Sequence, residues 1–520
     1  MPEMKQSFST KTDRILTHRG RGGRSTGNRV SVVFPGDNIQ KALDKVGDDG
    51  GGLVLLRKGT HILSTSLTVP SNVSLEGEGI GNTIIDFNAG AFQIKVQGTI
   101  RTTGGTGVSI TEGSTTVTGV GGTTFLTDVA ADDMIVITEP ATGMLAEVAS
   151  ITNDTTLVLK KAWPYPSITD NDYTIFKSVS NVIIRNLTIT NSSLVGGVSA
   201  SGPGVLDIEN VVNFIAENLL VTNNSAAKGI NIVAAVNSEF RNVESSYNGS
   251  GSTHDGISIT FTKRVAFYSC SAIGNAGAGF NLDAGSVYNW TEHNAFYSCF
   301  SEGNTQYGFD IGGSNGLLLH CRALGNDDTG FRITGLSNNV LLVCYSIDNG
   351  GDGIELTLAG DNNYVEGCYL RDNGAWGIDI LLNSDNNIIN RCYFAGNASG
   401  TVRDANTSGT TIYQNFGYGT KTLANGANNN VNLNEDKFIR ITGPTGAFSI
   451  SGIAGGINGK EVYLYNAVAF DMTITNDATS TAANRILTLT GADVVLTGVS
   501  VAHLVYYATD ARWILLGTQG

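Results

Sequence analysis

In the second half of the chain, apolar and polar residues alternate in short runs such as Ile354-Glu355-Leu356 and Ile378-Asp379-Ile380, and these runs recur. A period of two predicts strands with one face buried. A glycine opens five successive runs: Gly279-Phe280, Gly308-Phe309, Gly330-Phe331, Gly353-Ile354 and Gly377-Ile378. Nine residues before these glycines stand Cys270, Cys299, Cys321, Cys344 and Cys368, and Cys392 adds a sixth. Five residues after each cysteine comes an asparagine: Asn275, Asn304, Asn326, Asn349, Asn373 and Asn397. The cysteines lie 29, 22, 23, 24 and 24 residues apart. A period in the twenties with fixed internal offsets predicts a solenoid whose coils bury their apolar positions on one another. With strands as its elements, the expected fold is all-β, a parallel β-helix.

The same frame divides the chain. Coils run from 178 to 415, the earlier ones aligning Leu219/Asn224/Gly229-Ile230 and Val243/Asn248/Gly256-Ile257 with the cysteine coils. Residues 30–97 read as a cap and first coils, with a short amphipathic helix at Asn38-Ile39-Gln40-Lys41-Ala42-Leu43. Residues 98–177 alternate without the coil period, which predicts a small β-barrel inserted into an early coil. From 416 to 520 the period is lost again, and alternating strands such as Glu461-Val462-Tyr463-Leu464-Tyr465 predict a C-terminal β-sandwich. The asparagine column is expected at sharp bends, where Asn tolerates the left-handed conformation and its amide bonds up and down the stack. The cysteines read as a stacked column of free thiols. No CxxC or Cys/His pairing is present, so neither a metal site nor a cofactor is expected.

Net charge of −14 argues against nucleic acid or an anionic membrane as the main partner. The exception is the segment 1–29, read as a flexible basic stretch, where seven Lys/Arg face only Glu3 and Asp13. No run of 18 apolar residues exists, so no membrane insertion is expected. The polar N-terminus lacks the apolar centre of a Sec signal peptide.

Gly50-Gly51-Gly52-Leu53-Val54-Leu55-Leu56, Lys58-Gly59-Thr60-His61 and Val73-Ser74-Leu75-Glu76-Gly77-Glu78-Gly79 follow the amphipathic helix. Together they resemble the opening of right-handed β-helices of the pectate lyase superfamily, in which that helix caps the solenoid. Gly113-Ser114-Thr115-Thr116-Val117-Thr118-Gly119 with Thr123-Thr124-Phe125-Leu126-Thr127-Asp128 is similar to small domains inserted in phage tail proteins. Phe448-Ser449-Ile450-Ser451-Gly452-Ile453, Asn484-Arg485-Ile486 and Arg512-Trp513-Ile514-Leu515 resemble C-terminal domains of phage tailspikes and fibres. The resemblance implies a homotrimer, a virion or extracellular location, and a bacterial surface polysaccharide as partner. Pectate lyases proper hold calcium with clustered aspartates, and that signature has no clear match here.

Chemistry in a β-helix is built from one outward column. The residue after each Gly-Phe/Ile must point outward, giving Asn231, Ser258, Asn281, Asp310, Arg332, Glu355 and Asp379. Neighbours in such a column are about 4.8 Å apart. Glu355 and Asp379 form the expected catalytic pair, with Asp310 third. Their separations bracket both glycosidase geometries, and a like-charge pair raises one pKa to supply a general acid. Arg332 is the expected substrate grip. His254 and Asp255, on the turn before the column, are candidates for abstracting a proton from a uronic acid. Tyr307, Trp376 and Trp290 are candidates for stacking on sugar faces. The function these residues suggest is glycoside hydrolysis of a polysaccharide. A solvated acid–Arg–acid ladder on a non-catalytic receptor-binding fibre, or a lyase or epimerase acting on uronic acids, remain open from the sequence.

Overall fold

A computed structural model describes residues 29–520 apart from 89–91, 120–121, 140–141, 164–165, 192–203, 225–226, 284–290, 335–337, 358–359, 406–409, 414, 434–436 and 457. The helix Ile39–Asp48 begins where the Asn38 side chain accepts the Lys41 N–H at 2.9 Å. It buries Ile39, Leu43 and Val46 against the first coils. Beyond it the chain winds as a parallel β-helix, with equivalent residues of successive coils in register. One inward column passes from Val54 through Leu75, Ile184, Ala216, Phe240, Phe267, Phe296, Leu318, Leu341 and Val365 to Ile389. All of these are buried, so each coil's apolar face is covered by the coils above and below. Phenylalanines carry much of this packing. Phe240, Phe267 and Phe296 stack at 4.8 and 4.9 Å, and Phe280, Phe309 and Phe331 stack at 4.8 and 4.9 Å. These centroid spacings match the rise between parallel strands.

The six cysteines are buried free thiols. Burial pushes the Cys344 thiol well above its usual range. The asparagines form the expected ladder. Nδ2 of Asn248, Asn275, Asn304, Asn326, Asn349 and Asn373 each donates to Oδ1 of the asparagine one coil on, at 2.9 to 3.0 Å. Their backbone differs from expectation. The left-handed residue is the one before the ladder asparagine: Asn223, Tyr247, Gly274, Gly303, Gly325, Asp348, Asp372 and Gly396. The bend is made one position early, which frees the asparagine side chain to turn into the coil and bond along the stack.

Residues 99–177 interrupt the helix. The strand Ile183–Thr190 pairs directly with Val73–Glu76, so the coil closes as though the insertion were absent. Its six strands close into an antiparallel barrel with a core of its own around Ile135, Leu157 and Trp163. Gly98 marks the junction. A Cβ there would lie 2.4 Å from the Lys177 carbonyl and 2.7 Å from that of Asn210, so entry and exit converge on a point only glycine fits.

At the other end, the coil path continues past 416. Phe416–Thr422, Phe438–Thr442 and Glu461–Asn466 pair in parallel, as do Gly426–Asn428, Phe448–Ile450 and Met472–Ile474. The direction then reverses. Ser500–Tyr507 runs antiparallel to Glu461–Asn466, and Val494–Leu496 antiparallel to Met472–Ile474. The two sheets share a separate core that includes Trp513, whose indole donates to the Ile453 carbonyl at 2.8 Å.

Candidate active site

The outward column lies on the twelve-stranded sheet. It is longer than the sequence reading: Lys95, Asp207, Asn231, Ser258, Asn281, Asp310, Arg332, Glu355, Asp379 and Arg403 stand in register. Inward neighbours pin each member, as Ile354 and Leu356, both fully buried, do for Glu355. A second row stands three residues earlier in each coil, on or beside the preceding turn, and includes Lys228, Asp255, Tyr307, Asp352 and Trp376, the last opening the strand Trp376–Ile380. The two rows bond to one another one coil apart. Lys228 Nζ donates to Ser258 Oγ at 2.9 Å, and Asn281 Nδ2 donates to Asp255 Oδ2 at 3.0 Å. The Arg332 guanidinium lies 3.9 Å from the Tyr307 ring centre and donates to its hydroxyl at 2.5 Å. Arg403 lies 5.9 Å from the Trp376 ring centre.

Both arginines of the column are committed. Arg332 holds Asp310 in a two-bond fork at 3.0 and 2.7 Å. Arg403 holds Asp379 in a second fork, with Nε to Oδ1 at 2.6 Å. Glu355, between the two forks, makes no hydrogen bond or ion pair with any described residue. Burial first, then the nearby Asp352, push its carboxyl up to about 7, against the opposing pull of Arg332. Asp352, which accepts the Trp376 N–H at 2.7 Å, is pushed by burial up to about 6. A half-buried carboxyl that titrates near neutrality beside carboxylates held by arginine is the arrangement general acid–base chemistry uses.

His254 and Asp255 adjoin in sequence but face different partners. His254 Nδ1 accepts the N–H groups of Ser250 and Gly251 at 3.0 and 3.2 Å, which needs the neutral ring, and burial lowers its pKa. Asp255 takes the Ala278 N–H at 3.0 Å besides Asn281, and burial pushes it up to about 6. Trp290 lies outside the described residues. Arg403 escaped sequence reading because Thr401-Val402 replaces the Gly-Phe/Ile marker, although it stands 24 residues after Asp379. Asp207, in Leu206-Asp207-Ile208, carried the same signal, 24 residues before Asn231. Asp352 belongs with His254 and Asp255 to the cluster on the turn before the column, where an aspartate reads first as a turn former. Among the described residues, no cluster of three or more His, Cys, Asp or Glu could hold a metal ion. No described helix is long and apolar enough to cross a membrane.

The raised carboxyls fix a pH dependence of stability. Asp207, Asp255 and Asp352 sit at about 6 and Glu355 at about 7 in the folded chain, above the ordinary values near 4. The folded state binds these protons more tightly, so the contribution is complete below pH ~4 and is lost as pH rises through 6 to 7. Calorimetry should give a higher Tm at pH 5 than at pH 8. An equal or higher Tm at pH 8 would contradict the burial.

Residues 291–436 match a protein-family model described as the right handed beta helix region. The solenoid is right-handed. Solved structures with similarity to the chain include the A-module of the mannuronan C-5 epimerase AlgE6 from Azotobacter vinelandii (16% identity, 73% of this chain and 94% of that one, TM-score 0.46). Another is the tailspike gp61 of Pseudomonas phage phi297 (13% identity, 84% and 79%, TM-score 0.46). A third is the Gp54 tailspike of Acinetobacter baumannii bacteriophage AP22 in complex with capsular saccharide (13% identity, 86% and 85%, TM-score 0.45). No curated protein matches the sequence.

Proposed function

We propose that the chain binds a polysaccharide along the outward row and hydrolyses it, with Glu355 donating the proton to the leaving oxygen. The observation that carries this reading is Glu355 itself: half-buried, without a hydrogen bond or ion pair to any described residue, pushed up to about 7, and standing between two arginine–carboxylate forks. Asp379 is one coil away and Asp310 two coils away on the other side. One coil corresponds to about 4.8 Å, close to the ~5–5.5 Å of retaining glycosidases, and two coils to the ~6.5–9.5 Å of inverting ones. The anomeric form of the first product, followed by NMR, assigns the second role: retention names Asp379, inversion Asp310. Arg332 with Tyr307 on one side of Glu355, and Arg403 with Trp376 on the other, offer polar grips and ring faces to sugar units.

The test is incubation with a panel of bacterial capsular polysaccharides, following reducing ends and the absorbance of unsaturated uronates together. New reducing ends without that absorbance support hydrolysis, and absorbance selects a lyase. Burial raises the Tyr307 phenol pKa, which keeps it protonated at neutral pH and disfavours it as a lyase base. Binding with neither cleavage nor a change in uronate configuration by NMR selects the fibre reading, which the two satisfied forks would suit; a changed configuration without cleavage selects an epimerase. In this reading the protein acts outside the cell or on a virion.

The same reading makes the chain a homotrimer joined through residues 416–520. Phe470, Leu489, Val495, Val499 and Tyr507 are large apolar side chains 40–76% exposed in that segment, the kind of surface a second copy covers. Sedimentation of the intact protein should give the mass of three chains; the mass of one chain removes the idea.

A further inference from the structure

The inserted barrel meets the solenoid through a small apolar contact, Met134 and Val136 against Val212, Ala234 and Val236. Beside that contact lies a cleft of about 250 Å³ that neither surface fills. It is lined by the apolar Met134, Trp163, Val212 and Val236, by four cations, Lys160, Lys161, Lys263 and Arg264, and by one carboxylate, Glu147. Two of these cations are neutralised: Lys160 by Asp132 and Glu147, Lys263 by Glu292. The other two are not. Lys161 makes no ion pair with any described residue, and Arg264 only donates Nε to Asn237 Oδ1 at 2.7 Å. Their charge reaches into the cleft, since Arg264 and Lys161 both lower the pKa of the buried Lys263, after burial itself. Two uncompensated cations beside an apolar lining are unexpected where a chain of net charge −14 docks one of its parts onto another.

An apolar lining with cations beside it suits a small ring with hydrophobic C–H faces and one anionic substituent. Lys263 lies five residues after Ser258 of the outward row, and Ser258 is four coils from Glu355. At ~3.3 Å per residue and ~4.8 Å per coil, Lys263 at the edge of the cleft is about 25 Å from Glu355, within reach of one bound oligosaccharide. We propose that this cleft is a second, non-catalytic subsite that takes one anionic sugar unit, a uronate or a phosphorylated sugar. The identification of the ligand as a sugar rests on the polysaccharide reading above; the anion site rests on the cleft alone.

The test measures binding rather than turnover, so its failure is separate from failure of Glu355 as catalyst. Arg332→Gln removes the cation proposed to grip substrate beside Glu355, and in that background saturation-transfer NMR is recorded with glucuronate, glucose 6-phosphate and glucose. Either or both anions should bind, glucose should not, and binding should weaken as salt is raised. Which anion binds distinguishes a uronate from a phosphate ligand. Adding Lys161→Gln and Arg264→Gln, both exposed positions that leave the core intact, should weaken it at least about 10-fold, as loss of charge-assisted bonds does. No binding of either anion, equal binding of glucose, or anion binding unchanged by the two added substitutions overturns the proposal.

Discussion

Replacing Glu355 with glutamine should slow glycan cleavage by about 10²–10⁴-fold, the usual loss when a general acid or base is removed, while glycan binding persists. Glutamine keeps the shape and cannot supply the proton. No described group bonds to Glu355, so the substitution leaves no orphaned partner, and folding should be undisturbed. The wild-type rate should fall as pH rises through about 7, because the donor must be protonated and its carboxyl sits there. Glu355→Gln should remove that limb from the residual activity. Full activity in the variant moves the chemistry off this row. An unchanged pH limb with reduced activity would assign the titration to another group, with Asp352 first in line.

The second large effect concerns stability. Asn326→Ala should destabilise the solenoid by on the order of 3 kcal/mol, because it orphans one buried backbone N–H and removes two further amide bonds of the ladder. Asn326 Oδ1 accepts the Asn304 backbone N–H at 3.2 Å and Nδ2 at 2.9 Å, and its own Nδ2 donates to Asn349 Oδ1 at 2.9 Å. An alanine leaves the Asn304 N–H without its acceptor in a place water does not reach, whereas Asn304 Nδ2 keeps the Ala272 carbonyl and Ser301 Oγ and Asn349 Oδ1 keeps the residue-326 N–H. Cys321→Ala removes a buried sulfur of the same coil and only weak bonds, so it should cost less. Matched thermal scans of the two variants check the order. A Tm loss for Asn326→Ala no larger than for Cys321→Ala would show that the ladder contributes little.

The parallel coil was legible because every turn repeats the same constraints: a cysteine facing in, an asparagine bonding along the stack, a glycine under the next coil. Gly308 shows why the last is fixed, since a Cβ there would lie 2.5 Å from the Gly330 carbonyl. The outward column followed from alternation alone. Pairing within it did not, because alternation places a side chain on a face without saying which neighbour it grips. Arg332 turns to Asp310 rather than to Glu355, and Asp379 finds Arg403, whose coil lacks the glycine marker. The left-handed bends were misplaced by one residue for a similar reason: composition names the residue types of a turn but not which of two neighbours carries the positive φ. The strands after 416 lost the marker residues without leaving the sheet, since pairing needs only backbone and an inward apolar residue such as Ile439 or Leu464.

A stack in which each coil touches only its neighbours has a particular way of coming apart. An interior coil held on both sides by asparagine bonds and stacked phenylalanines has no free edge from which to peel. Unzipping has to begin at an end, and both ends of this one are closed: one by the helix Ile39–Asp48 seated on the first coils, the other by strands that reverse direction. The lifetime of the folded chain is then set by how rarely these closures open rather than by the summed strength of the middle. A single weakened contact under the helix, at Leu43 for instance, would shorten that lifetime more than an equal loss deep in the cysteine coils.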